Sequence, residues 1–320
     1  MNEIKNSGRF AVLDIGGTSI KSGVYENGRM LKFAETPTQA SKGGAFVVNQ
    51  ALEIIHGMGR IDGIGISTAG QVDFENGKIL HANANIPDYT GMELRRIFEI
   101  EFHVPAVIEN DVNAAALGEG HCGSARGVKD FLCLTYGTGV GGAIVIDGKI
   151  YRGAGGSAGE FGSMVTHGRQ VVLGERISGC YEERASTAAL VRRVRAIMPE
   201  ITNGRQIFEI IEEPAVKKEV DSWMDEIAYG LVTLIHIFNP ACVLLGGGVM
   251  GQEYVVSTVK NRVMEKIMPS FRNVEIRATE LGNKAGLWGA AYLAEQYTKN
   301  EEEGNENSSL HQTGSRNDCR

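Results

Sequence analysis

Positive charge is what this chain has least to spare. Its 320 residues carry 32 Lys and Arg against 39 Asp and Glu, a formal net charge of −7, so no broad polyanion-binding surface is implied and nucleic acid is excluded as a partner. Long apolar runs are absent as well. None approaches the roughly 18 residues that a membrane-spanning helix needs, and the first residues show no charged-then-apolar export signal. The five cysteines (Cys122, Cys133, Cys180, Cys242 and Cys319) lie far apart, and Cys133 and Cys242 stand inside apolar runs that read as strands. A disulfide-stapled scaffold is therefore excluded, and buried reduced thiols are expected. These absences describe a soluble, cytoplasmic protein with no membrane partner, long enough for two domains or one bilobal unit.

What is abundant is glycine, with 42 residues, well above its usual share and a sign of many tight turns near ligands. Residues 10 to 31 read as an apolar strand, a turn at Gly16-Gly17-Thr18, a second strand and an Asn27-Gly28 hairpin. Adjacent glycines let backbone N–H groups approach an anion, and Thr18 adds a hydroxyl, which suits a phosphate; taken alone, the segment reads as an ordinary hairpin turn. The pattern returns at residues 131 to 151, with Gly137-Thr138-Gly139 as the turn and Asp147-Gly148 as the hairpin. A repeat about 120 residues apart is too long for a solenoid and implies two like-folded lobes. Two such hairpins facing each other across a cleft would grip one polyphosphate from both sides.

Between the repeats, Ala106 to Ile108 reads as a buried strand and the alanine-rich run from Val112 as the start of a helix. Asp111 sits at that junction, where α/β sheets bind ligands; capping of the helix by Asn110, Asp111 or Asn113 explains the same residues. A helix at 44 to 58, a strand at 61 to 67 and the Thr68-Ala69-Gly70 turn precede it. The loop from Asn83 to Gly91, with Asn85, Pro87, Asp88 and Tyr89, reads either as a sugar-lining segment or as plain surface. Residues 153 to 163 are too glycine-rich for regular structure, and Glu160 within them stands either in a flexible loop or in a substrate clasp. A helix is expected from Cys180 to Met198, where Glu182 answers the helix dipole, and another from 217 to 238, where His236 reads as a satisfied structural histidine. Gly246-Gly-Gly248 is a third glycine turn, and a closing helix is expected at 282 to 297. The expected division is a first α/β lobe over residues 1–118 closed by that helix, a larger second lobe over 119–281, and a disordered polar tail at 298–320.

The set Asp14-Ile-Gly-Gly-Thr18, Glu109-Asn-Asp-Val-Asn113, Gly137-Thr-Gly139, Gly159-Glu-Phe-Gly162, Gly179-Cys-Tyr-Glu182 and Gly246-Gly-Gly248 resembles the ROK family (repressor, open reading frame, kinase) over residues 10 to 295, in the right order throughout. The resemblance implies the two-lobed, actin-like ATPase fold of duplicated ribonuclease H-like domains, with the active site in the interlobe cleft, and an ATP-dependent kinase acting on a hexose or hexose derivative. It implies Asp111 as the general base that takes the proton of the attacking hydroxyl. It also implies Gly70, Asn85, Asn110, Glu160, Ser163 and Glu182 around the sugar, and Gly16, Gly17, Thr18, Lys21, Gly137, Thr138 and Gly139 around the phosphates. Gly247 and Gly248 would lie at the adenosine end, and Asp14 near Mg²⁺ through water. A homodimer is usual in the family.

One departure bears on specificity. Where many relatives carry a zinc-binding His and three Cys, this chain has Ser163, Leu173, Glu175 and Cys180. One ligand cannot close a tetrahedral site, so no zinc is expected, and His167 nearby does not complete it. Ser163 leaves room at the sugar's anomeric end, which sets a β-glucoside kinase beside a glucokinase or an N-acetylmannosamine kinase. Only nine residues precede Phe10, too few for the DNA-binding head of the family's repressors. A non-catalytic sugar sensor and an actin-like ATPase without a sugar substrate are the competing readings.

Overall fold

The structure is a computed structural model that describes residues 8–82, 85–175 and 178–313. The chain divides into two units, one formed by residues up to Ala114 together with those from Gly286 onward, the other by Ala115–Ala285.

The first unit is built on five strands, in the order β3 (Arg29–Pro37), β2 (Ser19–Glu26), β1 (Arg9–Ile15), β4 (Gly63–Thr68) and β7 (Ala106–Asn110). β1 (Arg9–Ile15) and β2 (Ser19–Glu26) run antiparallel in the register Arg9↔Glu26 to Ile15↔Ile20, and β3 (Arg29–Pro37) follows β2. The hairpin between β2 and β3 turns at Asn27 and Gly28, both at positive φ (52° and 76°), the geometry that suits the twist of a two-residue connection. After α1 (Gly44–His56), β4 (Gly63–Thr68) lies parallel to β1. A small ribbon, β5 (Gln71–Asp73) and β6 (Lys78–His81), and α2 (Leu94–Phe102) lead to β7 (Ala106–Asn110), parallel to β4, and then to α3 (Asp111–Cys122). Ala11, Leu13, Ile15, Ile64, Ile66 and Ile108 of these strands pack with Val47, Ala51 and Ile55 of α1.

The second unit repeats the plan. β8 (Phe131–Tyr136), β9 (Val140–Ile146) and β10 (Lys149–Ile150) form the antiparallel side, with Asp147 and Gly148 at φ 50° and 74° in the turn. α4 (Tyr181–Ala185), α5 (Thr187–Arg195), α6 (Gly204–Glu209) and α7 (Pro214–Phe238) precede β11 (Cys242–Gly246), and α8 (Glu253–Lys266) precedes β12 (Glu275–Ala278). Both late strands are parallel to their neighbours, so the order is β10-β9-β8-β11-β12. The two sheets share one connectivity, the duplication that the paired hairpins announced. α9 (Ala285–Thr313) closes the first unit, packing Leu287, Ala290, Ala291 and Ala294 against Phe10, Val12 and Val107. The approach is close: a Cβ on Gly65 would stand 2.1 Å from the Ala290 carbonyl oxygen.

Several sequence expectations change. The helix expected from Cys180 to Met198 is two helices, because Ser186 adopts an extended conformation (φ −66°, ψ 156°) and caps α5 by accepting from the Ala189 N–H at 3.1 Å. The buried Trp223 indole N–H donates to the Ala185 and Ser186 carbonyls at 2.8 and 3.0 Å, satisfying groups that the break sets free. The tail expected from 298 is helical as far as Thr313, since Tyr297 to Glu303 are residues a helix tolerates and Lys299 pairs with Glu295 one turn back at 2.9 Å; residues 314–320, Cys319 among them, lie outside the described residues. Tyr89 does not line a site but is fully buried, its hydroxyl 2.9 Å from Thr68 Oγ1, and Asn83 lies outside the described residues. Cys133, Cys180 and Cys242 are buried free thiols, as their apolar setting requires. His236 accepts the Met268 N–H on Nε2 at 3.2 Å, and its Nδ1 lies 2.8 Å from the Val232 carbonyl.

Candidate active site

In the first unit the end of β1 delivers Asp14 beside the Gly16–Thr18 turn. The Asp14 carboxylate accepts from Lys21 Nζ at 3.0 Å and from Ser67 Oγ at 2.7 Å. Gly17 and Thr18 are exposed, and the turn is braced from behind by Thr38, a buried residue whose Oγ1 donates to the Gly16 carbonyl at 2.7 Å and whose N–H donates to the Thr18 carbonyl at 3.0 Å. Thr38 escaped the sequence reading because it lies 20 residues beyond the turn, past a full hairpin. Asn85 approaches Gly17, their Cβ positions 3.6 Å apart. The start of α9 reaches the same place: a Cβ on Gly286 would be 2.9 Å from Asp14 Oδ1.

The β7–α3 junction separates two roles that the sequence left open. Asn110 is the cap: its Oδ1 accepts from the Val112 and Asn113 N–H groups at 2.9 and 3.1 Å. Its amide group donates to the Gly70 carbonyl and to Asp111 Oδ1, both at 2.9 Å, so Gly70 serves here through its carbonyl as a brace for Asn110. Asp111 Oδ1 also accepts the Val112 N–H at 2.9 Å. Its other oxygen, Oδ2, makes no hydrogen bond with any described residue. Burial among protein atoms, helped by the nearby Asp14 charge, pushes the Asp111 carboxyl up to about 6, although its surface remains partly accessible. A carboxylate of that basicity with one oxygen available suits proton abstraction from a hydroxyl near neutral pH. Beneath it, the buried Glu109 accepts from the Asn110 N–H at 2.9 Å and from the Asn113 side-chain amide at 3.0 Å, a support the sequence named only as part of a motif.

In the second unit the Gly137–Gly139 turn closes with a Gly137 N–H to Gly139 carbonyl bond of 3.0 Å. α5 pins it: the Ala188 N–H donates to the Gly137 carbonyl at 3.1 Å and Thr187 Oγ1 to the Tyr136 carbonyl at 2.9 Å. Glu182, in the first turn of α4, lies against this turn, with Oε2 3.4 Å from the Val140 N–H. A Cβ on Gly139 would stand 2.5 Å from that oxygen. Glu160 and Ser163 are exposed on the glycine-rich loop, linked by a Ser163 N–H to Glu160 carbonyl bond of 3.2 Å. A cavity of about 1250 Å³ opens beside the turn, lined by Gly137, Thr138 and Gly248 and also by Thr187, Asn203 and Gln252. The last three were not anticipated, because α5, the 202–208 segment and the start of α8 carry no motif of their own. Gly247, at φ 111°, is exposed next to Gly248 and is held against the Tyr136 backbone.

Asp14 is the carboxylate beside the first phosphate turn that could hold a cation. Both its oxygens already accept from Lys21 and Ser67, so it suits an ion held through water, as Mg²⁺ prefers. Among the described residues no three His, Cys, Asp or Glu side chains gather as direct metal ligands. Leu173 is almost fully exposed, Cys180 is buried, and His167 Nε2 faces Glu226 at 3.5 Å. No described helix is long and apolar enough to cross a membrane.

Comparison with known proteins adds chemistry to this geometry. The sequence model of the ROK family matches residues 10–297. A glucokinase from Streptomyces coelicolor is 32% identical over 309 residues, covering 89% of this chain and 96% of the relative. A beta-glucoside kinase from Listeria innocua is 32% identical over 295 residues, with 89% and 96% covered. Among solved structures, a ROK family glucokinase from Streptomyces griseus in complex with glucose and AMPPNP superimposes with a TM-score of 0.76 at 32% identity, covering 90% of this chain and all of that one.

Proposed function

The chain belongs to the ROK family, has its two-lobed, actin-like ATPase fold and is a sugar kinase; from that premise we propose that it transfers the γ-phosphate of ATP to the 6-hydroxyl of a hexose or hexose derivative, with Asp111 as the general base. The observation that carries the reading is the Asp111 carboxylate, fixed through Oδ1 by Asn110 and Val112 and left with Oδ2 for the proton of an incoming hydroxyl. A sugar hydroxyl is a weak nucleophile at neutral pH, so a carboxylate in reach assists it, while alignment and charge stabilisation supply most of the acceleration.

In this reading the residues take the following roles. Gly70, Asn85 and Asn110 order the sugar side around Asp111, and Glu160, Ser163 and Glu182 receive sugar hydroxyls. Gly16, Gly17, Thr18 and Lys21, with Gly137, Thr138 and Gly139, offer backbone N–H and side-chain donors to the phosphates. Gly247 and Gly248 border the space for adenosine. Mg²⁺, when bound near Asp14, would neutralise phosphate charge as it builds.

The small, exposed Ser163 favours a second, narrower reading, a kinase of β-glucosides or disaccharides rather than of free glucose. ADP release from Mg-ATP, followed against glucose, N-acetylmannosamine, N-acetylglucosamine, fructose, allose and cellobiose, tests both. Strong stimulation by one sugar supports the kinase and identifies the acceptor; turnover of glucose well above cellobiose removes the narrower reading. ATP turnover that no sugar stimulates would favour an ATPase instead.

A further inference from the structure

The cavity beside the Gly137–Gly139 turn is strongly basic. Arg192, Arg195 and Arg205 all line it, and no Asp or Glu does, in a chain whose net charge is −7. Arg192 donates to the Glu183 carbonyl at 2.9 Å, whereas Arg195 and Arg205 make no hydrogen bond or ion pair with any described residue. The neighbouring Arg193 is different: it turns to Glu226 on α7, at 3.8 Å.

The placement is ordered. The Ala188 N–H bonded to the Gly137 carbonyl fixes the start of α5 at the phosphate turn, and residues 188, 192 and 195 follow one face of the helix. At about 1.5 Å per residue, Arg195 stands roughly 10 Å along α5 from that bond, a span that a ribose bearing phosphates can bridge. Arg205 comes from the first turn of α6, where the helix dipole disfavours a cation, so local helix energetics do not explain it. The cavity, at about 1250 Å³, also exceeds the roughly 300–1,000 Å³ usual for small ligands. Adenosine is neutral and would give these guanidinium groups no counter-charge.

We propose that the end of this cavity remote from the phosphate turn is an anion subsite formed by Arg195 and Arg205, which takes a nucleotide carrying a second phosphate on its ribose. This rests on the reading of the cavity as the nucleotide pocket. The 5′-phosphate side of such a ligand meets the Gly137–Gly139 turn, and the ribose phosphate meets the two guanidinium groups through charge-assisted hydrogen bonds. Bisphosphorylated nucleotides would then compete with ATP and restrain the kinase.

Titration calorimetry on the full chain with adenosine 3′,5′-bisphosphate, AMP and ADP tests it. The bisphosphate is expected to bind at least about tenfold more tightly than AMP at low salt, with the preference shrinking as salt screens the exposed arginines. In the Arg195→Ala/Arg205→Ala variant the ratio of the two affinities should fall toward one; both side chains are exposed, and the bisphosphate-to-AMP comparison in the unaltered chain needs no variant. Equal affinities in the unaltered chain, or a preference that survives the double substitution, would overturn the proposal while ADP binding keeps the nucleotide reading intact. Absence of ADP binding would overturn both.

Discussion

Replacing Asp111 with Asn should separate catalysis from stability in opposite directions. The substitution keeps an oxygen to accept from Asn110 and Val112, each 2.9 Å away, and removes only the charge and the ability to take a proton. Loss of a positioned general base costs about 10²–10⁴ in rate, so kcat should fall by that factor while the affinity for ATP stays within about twofold. The stability effect follows from the raised carboxyl, which sits at about 6 against 3.8 for an ordinary Asp. A group whose folded-state value is raised contributes stability when protonated and loses it as pH climbs from about 4 to about 6, after which the loss is constant. The shift of roughly 2 units corresponds to at most about 3 kcal/mol, and partial solvent access reduces that to about 1–2 kcal/mol. At pH 7.5 the Asn variant should therefore be almost inactive yet unfold a few degrees higher. Steady-state ADP release and a thermal melt, run on the same samples, read both. Retention of more than about a tenth of kcat would remove Asp111 from the chemistry, and inactivity accompanied by a lowered melting temperature would mark its role as structural.

Three further outcomes are expected. The kcat/KM profile should be flat above pH 6 and fall about tenfold per unit below it, as Asp111 becomes protonated; a limb centred near pH 4 would contradict the raised basicity. Thr38→Val deletes the 2.7 Å bond to the Gly16 carbonyl behind the first phosphate turn and should raise the KM for ATP several-fold at a stability cost of about 1–3 kcal/mol, with an unchanged KM telling against the bracing role. Gly65→Ala drives a Cβ to within 2.1 Å of the Ala290 carbonyl and should destabilise by about 1–3 kcal/mol, read by denaturant unfolding; a neutral result would mean that α9 shifts freely on the sheet.

The parts of this fold that were legible in the sequence are those written locally. Asn27-Gly28 and Asp147-Gly148 announce two equivalent hairpins, and the sheets built on them share one strand order. The strand-to-helix step at Asn110 and Asp111 was legible as a junction, but the division of labour was not. Which residue caps and which keeps an open oxygen depends on the Gly70 carbonyl, 40 residues away. The break at Ser186 was hidden for the same reason: Arg-Ala-Ser-Thr-Ala continues a helical pattern, and the interruption is stabilised by Trp223 from another helix. Tyr89 looked like a sugar-site aromatic because a loop aromatic has no periodicity to reveal its burial. Polarity after Thr298 suggested disorder, yet Glu and Lys are good helix formers and the helix extends to Thr313. The arginines of the cavity belong to no motif, since α5, α6 and the third glycine turn converge only in the fold.

In the proposed reaction a phosphoryl group leaves ATP for a sugar rather than for water. The most direct test follows the γ-phosphate itself, by phosphorus NMR of a reaction containing the chain, Mg-ATP and the most stimulating sugar. Growth of a sugar 6-phosphate resonance in step with ADP is the predicted result. Growth of inorganic phosphate in step with ADP, with no phosphate ester formed on any sugar offered, would contradict it.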